Sequence, residues 1–526
     1  MAALQMTGLA LLALLAVALV IRIATPLPPL EPRTATTYLR ATQDTPLGRG
    51  VAKLRQGDPG LSGVHPLVTG HDAFAARVLL ARAATRSLDV QYYIWHKDLS
   101  GSLMLGALRD AADRGVRVRL LLDDNGIAGL DGELEQLDRH PNVEIRLFNP
   151  FVVRSPKAIG YATDFLRLNR RMHNKSFTAD NQVAIIGGRN IGDEYFSARE
   201  TGLFADLDVL AVGPAVEAVS EDFDRYWNSQ SAYPAERLLA PPETSRAGAL
   251  DALVARTEKD AAAQAYLQAI RRLPLIEQIV SGSLPFEWAP VRLISDDPAK
   301  ALGRAKAKDL LAPALREALG KPREQVRLIS GYFVPTSAGV EAFGAIARDG
   351  VDVAIFTNAF EATDVWVVHA GYADHRRALL DAGVRLFEMR GAPSGGDRRF
   401  LSTGSGSGKT GPVLRAAGAT LHAKTFAVDG HRLFIGSFNF DPRSMHLNTE
   451  LGFVIESPAL AKSVSDAFDA AIPASAYEVV LADDGRLNWI ERNGDEAIIH
   501  VEEPGTRPGQ RLGIRLLSLL PIEWLL

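Results

Sequence analysis

Two kinds of hydrophobic pattern alternate along the chain, and the alternation runs through twice. Residues 88–95 (LDVQYYIW) form an apolar, aromatic and β-branched run that predicts a strand. A helical pattern over 103–114 follows, closed by Gly115. Residues 116–124 (VRVRLLLDD) alternate at their start and then turn wholly apolar, as a buried strand does, and 143–148 predict another. The order recurs: a strand over 326–333, a helix over 340–348 ending at Gly350, a strand over 351–357, a helix over 368–381 and a strand over 384–389. Tyr332 falls in the second copy much where Tyr92 falls in the first. Such alternation predicts α/β units around a largely parallel sheet, present as two copies.

The ends read differently. Residues 1–21 carry no charged side chain, and 9–21 are nearly all Leu, Ala, Val and Ile. About twenty helical residues cross the hydrocarbon core of a bilayer. Neither a basic start nor a small-residue cleavage site is clear, so an uncleaved anchor is expected over a signal peptide. Pro26, Pro28 and Pro29 stop the helix. Arg22, Arg33 and Arg40 follow it with no Lys or Arg before it, which leans toward a cytoplasmic body. Residues 512–526 (LGIRLLSLLPIEWLL) suit either a segment packed on the body or one dipping into a headgroup layer. The expected organisation is an anchor over 1–25, a juxtamembrane linker over 26–70, a first repeat over 71–239, a helical linker over 240–300, a second repeat over 301–475 and an apolar tail over 476–526. Within the linker, 250–272 should be helical, and the Gly/Ser-rich stretch 391–411 reads as a mobile loop.

Composition narrows the chemistry. At 526 residues, 47% hydrophobic and 23% charged, the chain can bury large cores. A net charge of −4 gives no long-range attraction to nucleic acid. The absence of cysteine excludes disulfides, thiolate catalysis and Cys-ligated zinc.

The chemistry lies in a doubled motif. His173-Asn174-Lys175 is followed after SFTA by Asp180, and His422-Ala423-Lys424 after TFAV by Asp429. One such match is weak, since it should arise by chance on the order of once per ten thousand positions. Here it occurs once per repeat. An Asn follows each His at the same distance, Asn190 beyond Gly187-Gly188 and Asn439 beyond Gly436-Ser437. Asp206 and Glu450 then open the last strand of each half. On a strand, residues i and i+2 share a face, so each His and its Lys should point the same way. Asp180-Asn181 and Asp429-Gly430 are hairpin-turn signals, and small residues such as Gly188 and Ser437 would let a phosphate approach the backbone.

This set suits phosphodiester exchange. One imidazole can attack phosphorus while the other protonates the leaving alcohol. The lysines and asparagines can hold the equatorial oxygens, and Asp206 and Glu450 can take the Nδ1 proton of a His. No metal or cofactor is needed. Singly, each residue has a plainer reading as a core or surface group, and Asp180 and Asp429 would bond turn backbone even in an active site. His96-Lys97-Asp98 lacks the motif's spacing and reads as a polar turn. GSGSGKT over 404–410 has Thr403 where a phosphate-binding loop needs Gly, and reads as a loop over the second His motif. Arg167, Arg170 and Arg171 fit either a solvated turn or a patch that greets anionic headgroups.

HNKSFTAD with GGRNIGDEYF, and LHAKTFAVD with GSFNFDPRSMHLNTELG, resemble the paired motifs of the phospholipase D superfamily over roughly 88–457. Within it, GGRNIGDEYF, the 357–372 stretch and the LLPIEWLL tail resemble bacterial C-type cardiolipin synthases. The resemblance implies an α/β fold of two phospholipase D-like α/β/α repeats about a pseudo-twofold axis, behind an N-terminal transmembrane helix. It implies a phosphatidyltransferase that makes cardiolipin from phosphatidylglycerol with phosphatidylethanolamine or a second phosphatidylglycerol, through a phosphohistidine. The implied catalytic set is His173, Lys175, Asp180, Asn190, Asp206, His422, Lys424, Asp429, Asn439 and Glu450. Tyr92, Gly188, Tyr332 and Ser437 would bind substrate. The first His is the expected nucleophile. The partners are phospholipids and a bacterial inner membrane, not nucleic acid, with room for a small accessory membrane protein. A hydrolytic phospholipase D, a nucleic-acid phosphodiesterase and an inactive membrane scaffold are the rivals.

Overall fold

The computed structural model describes residues 2–54, 58–199, 203–239, 248–275, 278, 282–391, 420–494, 496–519 and 522–526. The GSGSGKT stretch and most of the 391–411 stretch lie outside them.

Two sheets carry the fold. The first orders its strands Glu287–Ala289, Ser62–Leu67, Asp208–Val212, Val183–Gly187, Ser176–Ala179, Ser87–Ile94, Arg117–Gly126, Val143–Phe148 and Ala232–Pro234. The second orders Val291–Ser295, Leu451–Glu456, Arg432–Gly436, Lys424–Val428, Gln325–Ser330, Asp352–Asn358, Arg385–Met389, Ala476–Leu481, Leu487–Asn493 and Glu496–His500. The halves repeat one design, but the sheets are mixed, not largely parallel. In each, three strands joined through helices run parallel, and the strands beyond them on both sides are antiparallel. The reason is local. Asp180 and Asn181, and Asp429 and Gly430, take positive φ and turn each His strand back on itself as a hairpin.

Helices cover the outer faces, and the inner faces meet. Ala184, Ile186, Val209 and Ala211 of the first sheet share one buried cluster with Ala427, Leu433, Ile435 and Phe453 of the second. The sheets therefore pack against each other through apolar residues and bring their corresponding strand ends together. The 249–271 region is two helices, Ala249–Lys259 and Ala261–Arg271, broken where Asp260 caps the second. Leu250, Val254, Tyr266 and Ile270 join the core of the first half.

The N-terminal helix Ala2–Ala24 contains a span, Gln5–Ala24, of mean hydropathy 2.4 with none of its apolar window buried. That is long and apolar enough to cross a bilayer. Where it ends, Arg22 pairs with Asp164 at 2.6 Å, on the Lys157–Leu168 helix of the body. At the other end, the Pro508–Ser518 helix packs one face on the body and leaves the other exposed. Ile514 and Leu517 pack on Phe360 and Ala370, while Leu512, Leu516 and Leu519 face outward.

Candidate functional site

The two motif histidines do not lie within their strands. Strands begin at Ser176 and Lys424, and each His sits in the irregular segment just before. Each is fixed by backbone of the opposite half. Met172 bridges Thr449, with the His173 amide donating to Thr449 O at 2.9 Å. Thr420–Leu421 pairs with Phe204–Ala205, and the His422 amide donates to Ala205 O at 2.8 Å. Both contacts join the residue before a His to the residue before a carboxylate. The carboxylates are consequently exchanged: His173 Nδ1 lies 2.8 Å from Glu450 Oε2, and His422 Nδ1 lies 2.6 Å from Asp206 Oδ2. Each imidazole of one half is oriented by an acid of the other.

The lysines flank the rings. Lys175 Nζ donates to His173 O at 2.6 Å, and Lys424 Nζ donates to His422 O. Each ammonium lies over an aromatic face, Lys175 at 5.5 Å from Tyr93 and Lys424 at 5.7 Å from Tyr332. The same tyrosines stand edge-on to the imidazoles, Tyr93 to His173 at 5.0 Å and Tyr332 to His422 at 5.9 Å. Tyr195 and Phe204 complete the wall around His422, the latter stacked at 5.0 Å. All four basic groups are buried, and His422 and both lysines act electrostatically on His173.

The electrostatics of the two dyads differ. Burial, with the charges of Lys175 and Lys424 behind it, drives His173 well below the ordinary imidazole range. Burial likewise pushes Glu450 up to about 7, against the pull of Lys175. His422 is lowered by burial and Lys424, with Asp206 opposing. Burial would raise Asp206, but His422 and Lys424 outweigh it and hold the carboxyl below its usual range. His422 thus faces an ionised carboxylate, whereas His173 faces one that takes up a proton near neutrality.

The asparagines also differ. Asn190 Nδ2 donates to Tyr195 OH at 2.9 Å, and its Oδ1 accepts from the Ile94 amide at 3.2 Å. Asn439 Oδ1 is buried with no hydrogen-bond partner. An unsatisfied buried amide oxygen has capacity for a donor such as a ligand hydroxyl.

Several sequence-based expectations need correction. Asp180 and Asp429 are not brought to the imidazoles. Asp180 accepts from the amides of Thr85, Arg86 and Ser87, and Asp429 from those of Arg323, Glu324 and Gln325. They tie each hairpin to the start of the neighbouring strand, a strand's length from the His. Tyr92 points into the core, its hydroxyl accepting from Arg77 Nε at 2.8 Å. Alternate strand residues face opposite ways, so its neighbour Tyr93 occupies the place expected for Tyr92. By strand register Leu88 corresponds to Val326, which pairs Tyr92 with Ser330 rather than with Tyr332. Gly188 leaves no open space: a Cβ there would approach Asp206 Oδ1 to 2.1 Å, so the glycine accommodates the carboxylate. At the matching position Ser437 Oγ donates to Glu450 Oε2 at 2.5 Å. Ser444 Oγ donates to the other oxygen at 2.8 Å. Arg167, Arg170 and Arg171 are not a free cationic patch; each donates to protein acceptors, Arg171 to Asp123 and Asn149 O. His96, Asp98 and Glu194 gather ligand-capable atoms, but Asp98 caps the Leu99–Asp113 helix and His96 pairs with Glu194 at 3.0 Å.

The sequence signal for Tyr195 was present in GGRNIGDEYF. Nothing in spacing distinguished Tyr93 from Tyr92, and nothing indicated that the acids would be exchanged.

A sequence profile described as "Cardiolipin synthase, PLD-like domain" matches residues 79–227 and 315–472. The chain is 50% identical over 480 residues to cardiolipin synthase C of Escherichia coli (strain K12), covering 91% of this chain and 99% of that protein. It is 26% identical over 430 residues to cardiolipin synthase of Staphylococcus aureus (strain N315), covering 80% and 69%. Among solved structures, phosphatidylserine synthase of Haemophilus influenzae Rd KW20 superimposes with a TM-score of 0.56 at 13% identity, covering 91% of this chain and all of that one, a likeness of fold.

Proposed function

The chain belongs to the cardiolipin synthase family with a phospholipase D-like domain, and from that premise we propose how this phosphatidyltransferase divides its chemistry. His173 Nε2 attacks the phosphorus of a phosphatidyl donor. The bond to the headgroup oxygen breaks as His422, as imidazolium, gives that oxygen its proton. A phosphatidyl group is left on His173. An alcohol then enters where the headgroup left, His422 takes its proton, and its oxygen attacks phosphorus as the P–N bond breaks. Lys175 and Lys424 take the equatorial oxygens, and the uncommitted Oδ1 of Asn439 accepts from the hydroxyl of the exchanging alcohol. Asn190 orients Tyr195, and Asp180 and Asp429 brace the hairpins.

The carrying observation is the exchange of acids, His173 with Glu450 and His422 with Asp206. It supports one centre made from both halves. The difference between the acids supports the division of roles. Both imidazoles are lowered, but Asp206 opposes the fall at His422, so His422 is the more readily protonated of the two and suits the acid, while the strongly lowered His173 stays neutral as a nucleophile must.

The donor is read as phosphatidylglycerol or phosphatidylethanolamine, and the acceptor as the free glycerol hydroxyl of phosphatidylglycerol, giving cardiolipin. Purified protein in vesicles of labelled phosphatidylglycerol, with and without phosphatidylethanolamine, tests this. Cardiolipin is the expected product, and phosphatidic acid alone would make the protein a hydrolase. The enzyme is membrane-associated. The finer reading is an inner membrane, crossed by the Ala2–Ala24 helix and touched by Leu512, Leu516, Leu519 and Trp524, all more than half exposed.

A further inference from the structure

One charged group at the site takes no part in the chemistry above. Asp364 lies exposed in the turn before the Trp366–Ala373 helix. Its Oδ2 accepts from the Tyr332 hydroxyl at 2.7 Å. That tyrosine ring stands edge-on to His422 at 5.9 Å and carries the Lys424 ammonium at 5.7 Å. Asp364 is near enough to act electrostatically on Lys424, Tyr332 and Tyr195. Among the described residues its hydrogen-bond partner is this neutral phenol, and none of them forms a salt bridge with it.

A free carboxylate is out of place at a centre that gathers phosphate oxygens, because it repels the phosphodiester. The corresponding position beside the other imidazole is built oppositely. Tyr93, edge-on to His173, faces the neutral amide of Asn125 across 3.5 Å, and the carboxylate that acts on it, Asp123, is paired with Arg171 at 3.1 Å. The carboxylate beside His173 is therefore neutralised by an arginine, whereas the one beside His422 is hydrogen-bonded only to a phenol among the described residues. In-line displacement puts the attacking and leaving groups on opposite sides of phosphorus. With His173 attacking, the headgroup alcohol departs beside His422, on the side of Asp364.

We propose that Asp364, held by Tyr332, reads the headgroup that leaves at His422 and selects an ammonium-bearing alcohol over a neutral polyol. In an ethanolamine headgroup the ammonium stands two carbons beyond the oxygen that His422 protonates, and it supplies both charge and N–H donors to the carboxylate. A glycerol headgroup offers hydroxyls to the same oxygens without the charge. After the headgroup leaves, the subsite is free for the acceptor's hydroxyls.

This inference rests on the role of His422 as the acid of a phosphatidyl transfer, and its test separates the two. Full-length protein in mixed vesicles is given phosphatidylethanolamine or phosphatidylglycerol labelled in the headgroup, and headgroup release is followed. Release is counted whether the phosphatidyl group passes to an alcohol or to water, so a lack of cardiolipin would refute transfer while still reporting Asp364. In Asp364→Asn the ratio of kcat/KM for phosphatidylethanolamine over phosphatidylglycerol should fall about tenfold or more, chiefly through KM. Asp364→Glu, which keeps the charge, should retain most of the preference. A ratio unchanged in Asp364→Asn, or an equal loss in both variants, overturns the assignment.

Discussion

In the proposed mechanism one imidazole supplies the bond to phosphorus and the other the proton, so replacing either with alanine should abolish turnover of phosphatidylglycerol while leaving the fold intact. Headgroup release by His173→Ala and His422→Ala checks this, and full activity in either contradicts the roles. The acids should separate by pH. On the proposed roles His173 attacks through Nε2 only while Glu450 is ionised and accepts from Nδ1–H; a protonated Glu450 donates to Nδ1 instead and leaves the ring proton on Nε2. With its carboxyl pushed up to about 7, activity should fall as pH drops through that value. In Glu450→Gln the residual rate should lose this limb. A limb that persists in Glu450→Gln assigns it to another group. The doubled His and Lys were legible because two matches at equal spacing seldom coincide. Tyr93, Asp364 and the exchange of acids were not, because they depend on which strand face or which half comes near, and spacing records neither.

The two hairpins make the clearest case among the elements. Asp180 and Asp429 stand at positive φ, and each accepts backbone amides of the adjacent strand's first residues. Their removal leaves those donors unmet where the hairpin should be anchored. Asp180→Ala or Asp429→Ala should therefore cost about 3 kcal/mol of stability, seen as a lower melting temperature, with kcat per folded molecule largely kept. A variant that melts normally but loses its chemistry would return these residues to the reaction. The strands were readable from their apolar runs, and the turns from Asp-Asn and Asp-Gly. The sheet's direction was misread, since strand–helix alternation describes only its three parallel strands. The remaining strands pair through hairpins and through distant segments such as Glu287–Ala289 and Val291–Ser295, whose partners no local pattern names.

Considered whole, the molecule is two similar sheets packed face to face, with the candidate site where their strand ends meet. The duplication was plain in the sequence, and so was the apolar first helix. The two readings of the tail were not separable, because a helix that packs one face and exposes the other shows a single mixed pattern. Leu512→Ser, Leu516→Ser and Leu519→Ser together should weaken binding to anionic vesicles severalfold, read by flotation of protein lacking the first helix, without lowering its melting temperature. Unchanged flotation would assign that face to something other than lipid. The central claim is that imidazoles from both halves serve one phosphorus atom, with His173 making the bond. Its most direct test is a rapid alkaline quench of the enzyme turning over a phosphatidyl donor labelled at phosphorus, followed by peptide mapping. The label should lie on the peptide holding His173 and be absent from His173→Ala; label on the His422 peptide would reverse the roles, and label on both would mean two centres instead of one.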